Sequence, residues 1–296
     1  MNKQLQGDLM LIFVTLSWGV SYYFTKVALE NVQEFNLIAL RFTMAFLLSG
    51  LVFYKKIRES NLKTIKNAFL LAMLLFSAYV CFTFSVVYTT TTNAAFITSL
   101  AVVLVPIFSA VIFKLKPERK AVAGVGFALI GISLLTINER LIINSGDVFS
   151  FLCAVSCAFH LIFMGKATKE VDSITLGVLQ LGFVALFSTM FTCIFETPKL
   201  PSTLQTQIFV IFLSIFCTAA AFIIQSIAQQ YTSPTHVGLI FSLEPVFAAI
   251  FGLLFLNEIL SLKGYIGCLF MLAGIIVTEL NLKKHFTKNK VVKNTK

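Results

Sequence analysis

Ten stretches of mostly apolar residues, parted by short polar or charged segments, run along almost the whole chain. They are Leu9–Lys26, Phe35–Tyr54, Ala68–Tyr88, Ala94–Phe113, Ala121–Asn138, Asp147–Met164, Ile174–Phe195, Ile208–Ala228, Thr235–Leu256 and Gly264–Leu282. A helix rises 1.5 Å per residue, so about 20 residues cross the roughly 30 Å of bilayer hydrocarbon. The pattern predicts an all-α integral membrane protein of ten transmembrane helices. The first run is too long, and too poorly flanked by a small-residue cleavage site, for a removable signal peptide; it is read as the first span.

Composition agrees with lipid as the solvent. Hydrophobic residues make up 58% of the chain and charged residues 12%, against roughly 45–50% and about 25% in soluble domains. Six cysteines (Cys81, Cys153, Cys157, Cys193, Cys217 and Cys268) all fall inside apolar runs. They are expected to act as small buried hydrophobes rather than as disulfides or metal ligands; no metal site or cofactor is expected.

Charge sets orientation. With the amino terminus inside, Lys3, the segments holding Lys55 to Lys66, Lys114 to Lys120 and Lys166 to Lys169, and the tail from Lys283 collect 18 basic residues. The opposite side has Lys26, Arg140, Lys199 and Lys263, and Arg41 lies within a span. By the positive-inside rule both termini face the cytoplasm. The same bias accounts for the net charge of +10 without any nucleic acid.

The chain also repeats. Gly7-Asp8 and Gly146-Asp147 stand 139 residues apart, and that offset maps Ser17 to Ser156, Phe24 to Phe163, Leu37 to Leu176, Pro106 to Pro245 and Ala110 to Ala249. A small shift then aligns Gly124 and Gly131 with Gly267 and Gly274, small residues suited to close helix approach. The expected organisation is one five-helix repeat over residues 1–139, a second over 140–282, and a basic cytoplasmic tail over 283–296. Five spans is an odd number, so the second copy must sit inverted relative to the first. Secondary transporters often use this plan, with substrate bound near the midplane between repeats.

Ser17-Trp18-Gly19, Arg41, Leu243-Glu244-Pro245, Asn257-Glu258 and the Gly267/Gly274 stripe together resemble the drug/metabolite transporter superfamily, in its ten-helix EamA-type branch. The resemblance spans nearly the whole chain. It implies a secondary transporter, commonly an exporter of amino acids, metabolites or drugs, with a central cavity between the halves. Two positions depart from the family pattern: Cys157 and His160 replace a Trp…Tyr pair, and Val20-Ser21 follows the Trp-Gly pair.

Charges inside the membrane are costly, at least about 2.5–3.5 kcal/mol at a helix centre, and so point to function. Glu244, next to the helix-breaking Pro245, could bind a cationic group or cycle a proton; a structural carboxylate paired with neighbouring polar groups is the alternative. His160 could line a cavity and titrate near neutrality, or serve as a hydrogen-bonded core group. Glu244 and His160 are the candidate coupling residues. Arg41 could hold a substrate carboxylate or tie helices together. Trp18 and Tyr22 share one face of the first helix, and Tyr79 lies in the third span; aromatic walls suit an amphipathic solute, though such stripes more often pack. Asn93 and Gln225 add amides that could orient a ligand or join helices.

Enzyme motifs are missing: the sequence has no His-Glu-x-x-His helix, no Gly-x-Ser-x-Gly elbow and no phosphate-cradling Gly-Lys loop. The expected protein is therefore a secondary carrier in a cell membrane, most simply the bacterial plasma (inner) membrane. Its partners are the bilayer and a small organic solute such as an amino acid, which it exports by alternating access. Multidrug efflux is the alternative, and a membrane-embedded enzyme a more distant one.

Overall fold

The computed structural model describes residues 3–112, 144–231, 234–241 and 243–279, with seven helical residues between 123 and 134. Among these there is no strand. Chain order gives α1 (Lys3–Ala28), α2 (Glu34–Val52), a short α3 (Tyr54–Arg58), α4 (Leu62–Tyr88), α5 (Thr91–Thr98) and α6 (Ala101–Ile112). The second half holds α7 (Ser145–Ala167), α8 (Ser173–Phe195), α9 (Leu204–Ser214), a π-helical turn (Ile215–Ala220), α10 (Ala221–Gln229), α11 (Pro234–Phe241), α12 (Glu244–Leu256) and α13 (Leu262–Glu279).

Seven helical stretches among the described residues are long and apolar enough to cross a membrane, and Glu244–Leu256 and Leu262–Gly274 are apolar but shorter. Most of the expected fifth span, and the tail from 283, lie outside the described residues. Several helices start ahead of their apolar runs because polar residues cap them. Asn61 accepts from Thr64 N at the head of α4, Asp172 from Thr175 N at α8 and Thr203 from Thr206 N at α9. Burial works against the charge of Asp172, but the Thr175 amide and hydroxyl and the Lys56 ammonium hold its carboxyl below the usual range.

Helix ends show which elements run opposite ways. Glu196, at the end of α8, accepts from Phe35 N and Asn36 N at the start of α2, at 2.8 and 2.7 Å. Lys56 after α2 meets Asp172 before α8 at 3.0 Å. Helices α2 and α8 are therefore antiparallel neighbours. The same holds for α4 and α7: Lys63 pairs with Glu170 at one end, and the Thr89 hydroxyl donates to Asp147 at the other. Gly124, Gly131, Gly267 and Gly274 are all buried, and the Phe127 and Phe270 rings stack with centroids 6.1 Å apart.

One end of the bundle is fastened by buried and half-buried polar groups. The end of α4, the start of α5 and the segment between them are held from three sides. Lys26 Nζ donates to Val86 O at 2.6 Å, Asp147 accepts from Thr89, and Glu258 accepts from the amides and hydroxyls of Thr91 and Thr92 at 2.8–3.1 Å. Glu258 reaches this position because Asn257 takes the left-handed conformation (φ 53°) at the end of α12. Gly252 leaves room for the clamp, since a Cβ there would stand 2.9 Å from Glu258 Oε2 and 3.0 Å from Thr92 Oγ1.

Repeat-related glycines are packed unequally at the two ends. A Cβ on Gly146 would meet Thr89 N at 2.6 Å and Tyr88 C at 2.8 Å, whereas among the described residues one on Gly7 would meet the Ala228 side chain, at 4.0 Å.

Candidate transport site

The middle of the bundle holds a cavity of about 100 Å³. At roughly 30 Å³ per water in the liquid, that is room for about three waters or a small solute group. Its walls come from α1, α4, α5, α6, α7, α10, α11 and α12, so both halves of the chain contribute.

Six of the eight candidate residues meet here: Trp18, Tyr22, Tyr79, His160, Gln225 and Glu244. Trp18 and Tyr22 are one turn apart on α1. Trp18 packs its ring against Phe222 and Phe241, with centroids at 5.3 and 4.9 Å, and its indole N–H donates to Cys217 O at 3.0 Å. Tyr22 meets Phe82 edge-on at 4.9 Å, and it neighbours Glu244.

Glu244 opens α12, with Leu243 before it and Pro245 in the first turn. Proline has no N–H to lose at that position and is preorganised for it, so the chain breaks between α11 and α12 and presents the carboxylate at the break. The expected ninth span is thus two helices. The first-half counterpart also breaks, between Thr98 and Ala101, but Pro106 lies within α6. The two breaks are not at matching positions.

His160 Nε2 lies 3.0 Å from Gln180 Oε1. Gln225 is 1% exposed, and among the described residues neither its Oε1 nor the Thr98 hydroxyl, also in the wall, has a hydrogen-bond partner.

Arg41 and Asn93 do not line the cavity. Arg41 is 2% exposed. Its guanidinium donates to the Thr218 hydroxyl, to Tyr79 Oη at 3.1 Å and to Cys217 O at 3.0 Å, and it lies 4.8 Å from the Tyr79 ring centroid. It stands behind Tyr79, tying α2 to α4 and to the π-helical turn. Asn93 sits in the first turn of α5, its amide N–H bonded to the Thr90 hydroxyl.

Phe222 and Phe241 were not singled out in the sequence; nothing separates them from the other phenylalanines, 32 in all. Gln180 falls opposite Arg41 at the 139-residue repeat offset, but its bond to His160 depends on tertiary packing.

Apolar helices of membrane-spanning length around a cavity with a carboxylate, an imidazole and free amide groups define a solute transporter of the membrane. Comparison with known proteins gives the family. The EamA-like transporter family matches residues 5–137 and again residues 144–280. An "uncharacterized transporter" of Archaeoglobus fulgidus is 30% identical over 280 residues, covering 95% of this chain and 88% of its own. The "uncharacterized transporter YoaV" of Bacillus subtilis is 25% identical over 286 residues, covering 93% of this chain and 97% of its own. A solved crystal structure shares the fold at a TM-score of 0.71 and 18% identity, covering 94% of this chain and 98% of that one. The chain belongs to the EamA-like transporter family, within the drug/metabolite transporter superfamily. It is a multi-pass membrane transporter, not an enzyme.

Proposed function

We propose that the protein is a secondary carrier that exports a small organic metabolite by alternating access across a bacterial plasma membrane, with both termini in the cytoplasm. Ten spans form two inverted five-helix units, residues 1–139 and 140–282, followed by a basic tail over 283–296. The antiparallel course of the repeat-related helices α2 and α8 supports the inversion, as does the double match to one family. Trp18, Tyr22, Tyr79, His160, Gln225 and Glu244 form the substrate chamber, Glu244 and His160 serve coupling, and Arg41 and Asn93 brace the wall and the cap of α5.

The observation that carries this reading is a chamber lined with carboxylate, imidazole and aromatic side chains from both halves of a chain that matches one family twice. Secondary carriers built from two repeats bind their solutes at such a place. The Lys26–Asp147–Glu258 end is fastened by hydrogen bonds between helices. Basic residues cluster beyond the other end, which supports an extracellular position for the fastened one. The aromatic lining also suits a second reading, efflux of hydrophobic xenobiotics.

Exchange in proteoliposomes tests the proposal. Vesicles loaded with unlabelled cell extract and bathed in isotopically labelled extract should accumulate one or a few labelled solutes, read by mass spectrometry. Glu244→Gln should slow that exchange about tenfold or more and flatten its pH dependence, the scale of one lost charged contact. Flux at channel rates, or no exchange of any solute, would remove the carrier assignment.

A further inference from the structure

The chamber lining holds a carboxylate and no Lys or Arg. Among its donors, the Trp18 indole N–H is spent on Cys217 O, the Ser21 hydroxyl on Trp18 O and the Ser99 hydroxyl on Phe96 O. The donors left are neutral, among them the hydroxyl of Tyr22 beside Glu244 and that of Thr98, which has no partner among the described residues. Arg41 lies outside the lining, its Nε and Nη2 bonded to Thr218, Tyr79 and Cys217 O. The Glu244 carboxylate and the unpartnered Gln225 Oε1 remain as acceptors. Among the described residues no Lys or Arg forms an ion pair with Glu244; the ion pairs present are Lys56–Asp172 and Lys63–Glu170, both at a helix end. Around this acceptor set stand the rings of Trp18, Tyr22, Phe82 and Phe222.

A site with one uncompensated carboxylate, a free carbonyl and several π faces is matched to a solute that brings positive charge and N–H donors on a compact apolar body. Ring faces attract cations through their quadrupoles, and more strongly away from water. A carboxylate on the solute would find no cationic partner in the wall and would stand near Glu244.

We propose that the chamber selects organic monocations, primary amines on an aryl or alkyl body, with the ammonium on Glu244 and Gln225 Oε1 and the body between Trp18 and Phe222. This rests on the carrier reading above and narrows it: free amino acids, which keep a carboxylate beside the ammonium, are poor substrates.

Trp18 is the chain's single tryptophan and lies in the chamber wall, so its fluorescence reports occupancy directly. The test uses the full chain in nanodiscs and three probes sharing one phenyl body: phenethylammonium, phenylalanine and 3-phenylpropanoate. Phenethylammonium should shift Trp18 emission with a Kd about tenfold or more below that of phenylalanine, and 3-phenylpropanoate should give no saturable change. Glu244→Gln should weaken phenethylammonium by about tenfold or more; if that variant does not fold, the charge series on the unaltered chain still decides. Equal affinity for all three probes, no binding of the amine, or amine binding indifferent to Glu244→Gln overturns the proposal. Counterflow of the same probes separates the two claims. Exchange of phenylalanine without binding of the amine leaves the carrier and sinks the cation assignment, while Glu244-dependent binding of the amine without exchange of any probe does the reverse.

Discussion

Replacing Gly19 with alanine is expected to lower stability by about 1–3 kcal/mol and to cost transport more than stability. A Cβ at this position would stand 2.4 Å from Phe247 Cβ and 3.2 Å from both Ala248 N and Glu244 O. None of those atoms can rotate away, so α1 and α12 must part by about 1 Å to restore ordinary carbon contact near 3.5 Å or more. Alanine's better helix propensity returns at most about 1 kcal/mol. Glu244 lies on the displaced turn, so the carboxylate moves with it. Gly126→Ala is the control, since a Cβ there meets none of the described residues within 4 Å. Thermal unfolding of detergent-solubilised protein, paired with counterflow, measures both effects. Equal midpoints and rates for the two variants would show that the α1–α12 contact is not as tight as described.

Glu258→Ala should release one end of the bundle. Its carboxylate takes four hydrogen bonds from Thr91 and Thr92, two of them from backbone amides at the head of α5. Hydrogen bonds to a charged group contribute about 1.5–3 kcal/mol, so removing the shared acceptor should raise local opening by about tenfold to a hundredfold. Amide exchange in peptides covering residues 88–98 reads this directly. Residues 34–40, held independently by Glu196, should keep their protection. Unchanged exchange at 88–98 would mean that Lys26 and Asp147 alone hold the segment. Faster exchange at both places would mean global loosening rather than a latch.

The helices were legible because lipid imposes a simple demand: a run of about 20 apolar residues has few alternatives to spanning as a helix. The repeat was legible for a related reason, since Gly7/Gly146 and Pro106/Pro245 mark backbone positions that two copies of one unit share. The site was legible only where chemistry is rare in such a background. Glu244, His160 and Trp18 stand out against leucine and phenylalanine, and they lie together. Arg41 stood out equally and lies behind the wall, because a charge in an apolar run announces a buried partner without saying what that partner is. Here the partners are a carbonyl and a hydroxyl of the π-helical turn, which no spacing rule foresees. Glu258 was visible as part of a motif, but its grip on Thr91 and Thr92 joins residues 166 and 167 apart in sequence. The break before Glu244 was marked by Pro245, whereas the break at Thr98 escaped the apolar count, since no proline or glycine stands beside it.

The π-helical turn at Ile215–Ala220 has a consequence for the whole chamber. Such a turn is an ordinary helix carrying one surplus residue, and here its Cys217 carbonyl accepts from both Trp18 and Arg41. Deleting a single residue within it would close the turn to regular spacing, and the residues beyond it would keep their angular positions, because the wide turn absorbs the surplus residue; a deletion from a regular turn would instead swing everything downstream by about 100° about the axis. Phe222 and Gln225 would go on facing the solute, while the Cys217 carbonyl would be drawn into the helix ladder and lost to Trp18 and Arg41. One codon in this hexapeptide is therefore a dial on what anchors the wall, able to unfasten two side chains while the lining keeps its aim.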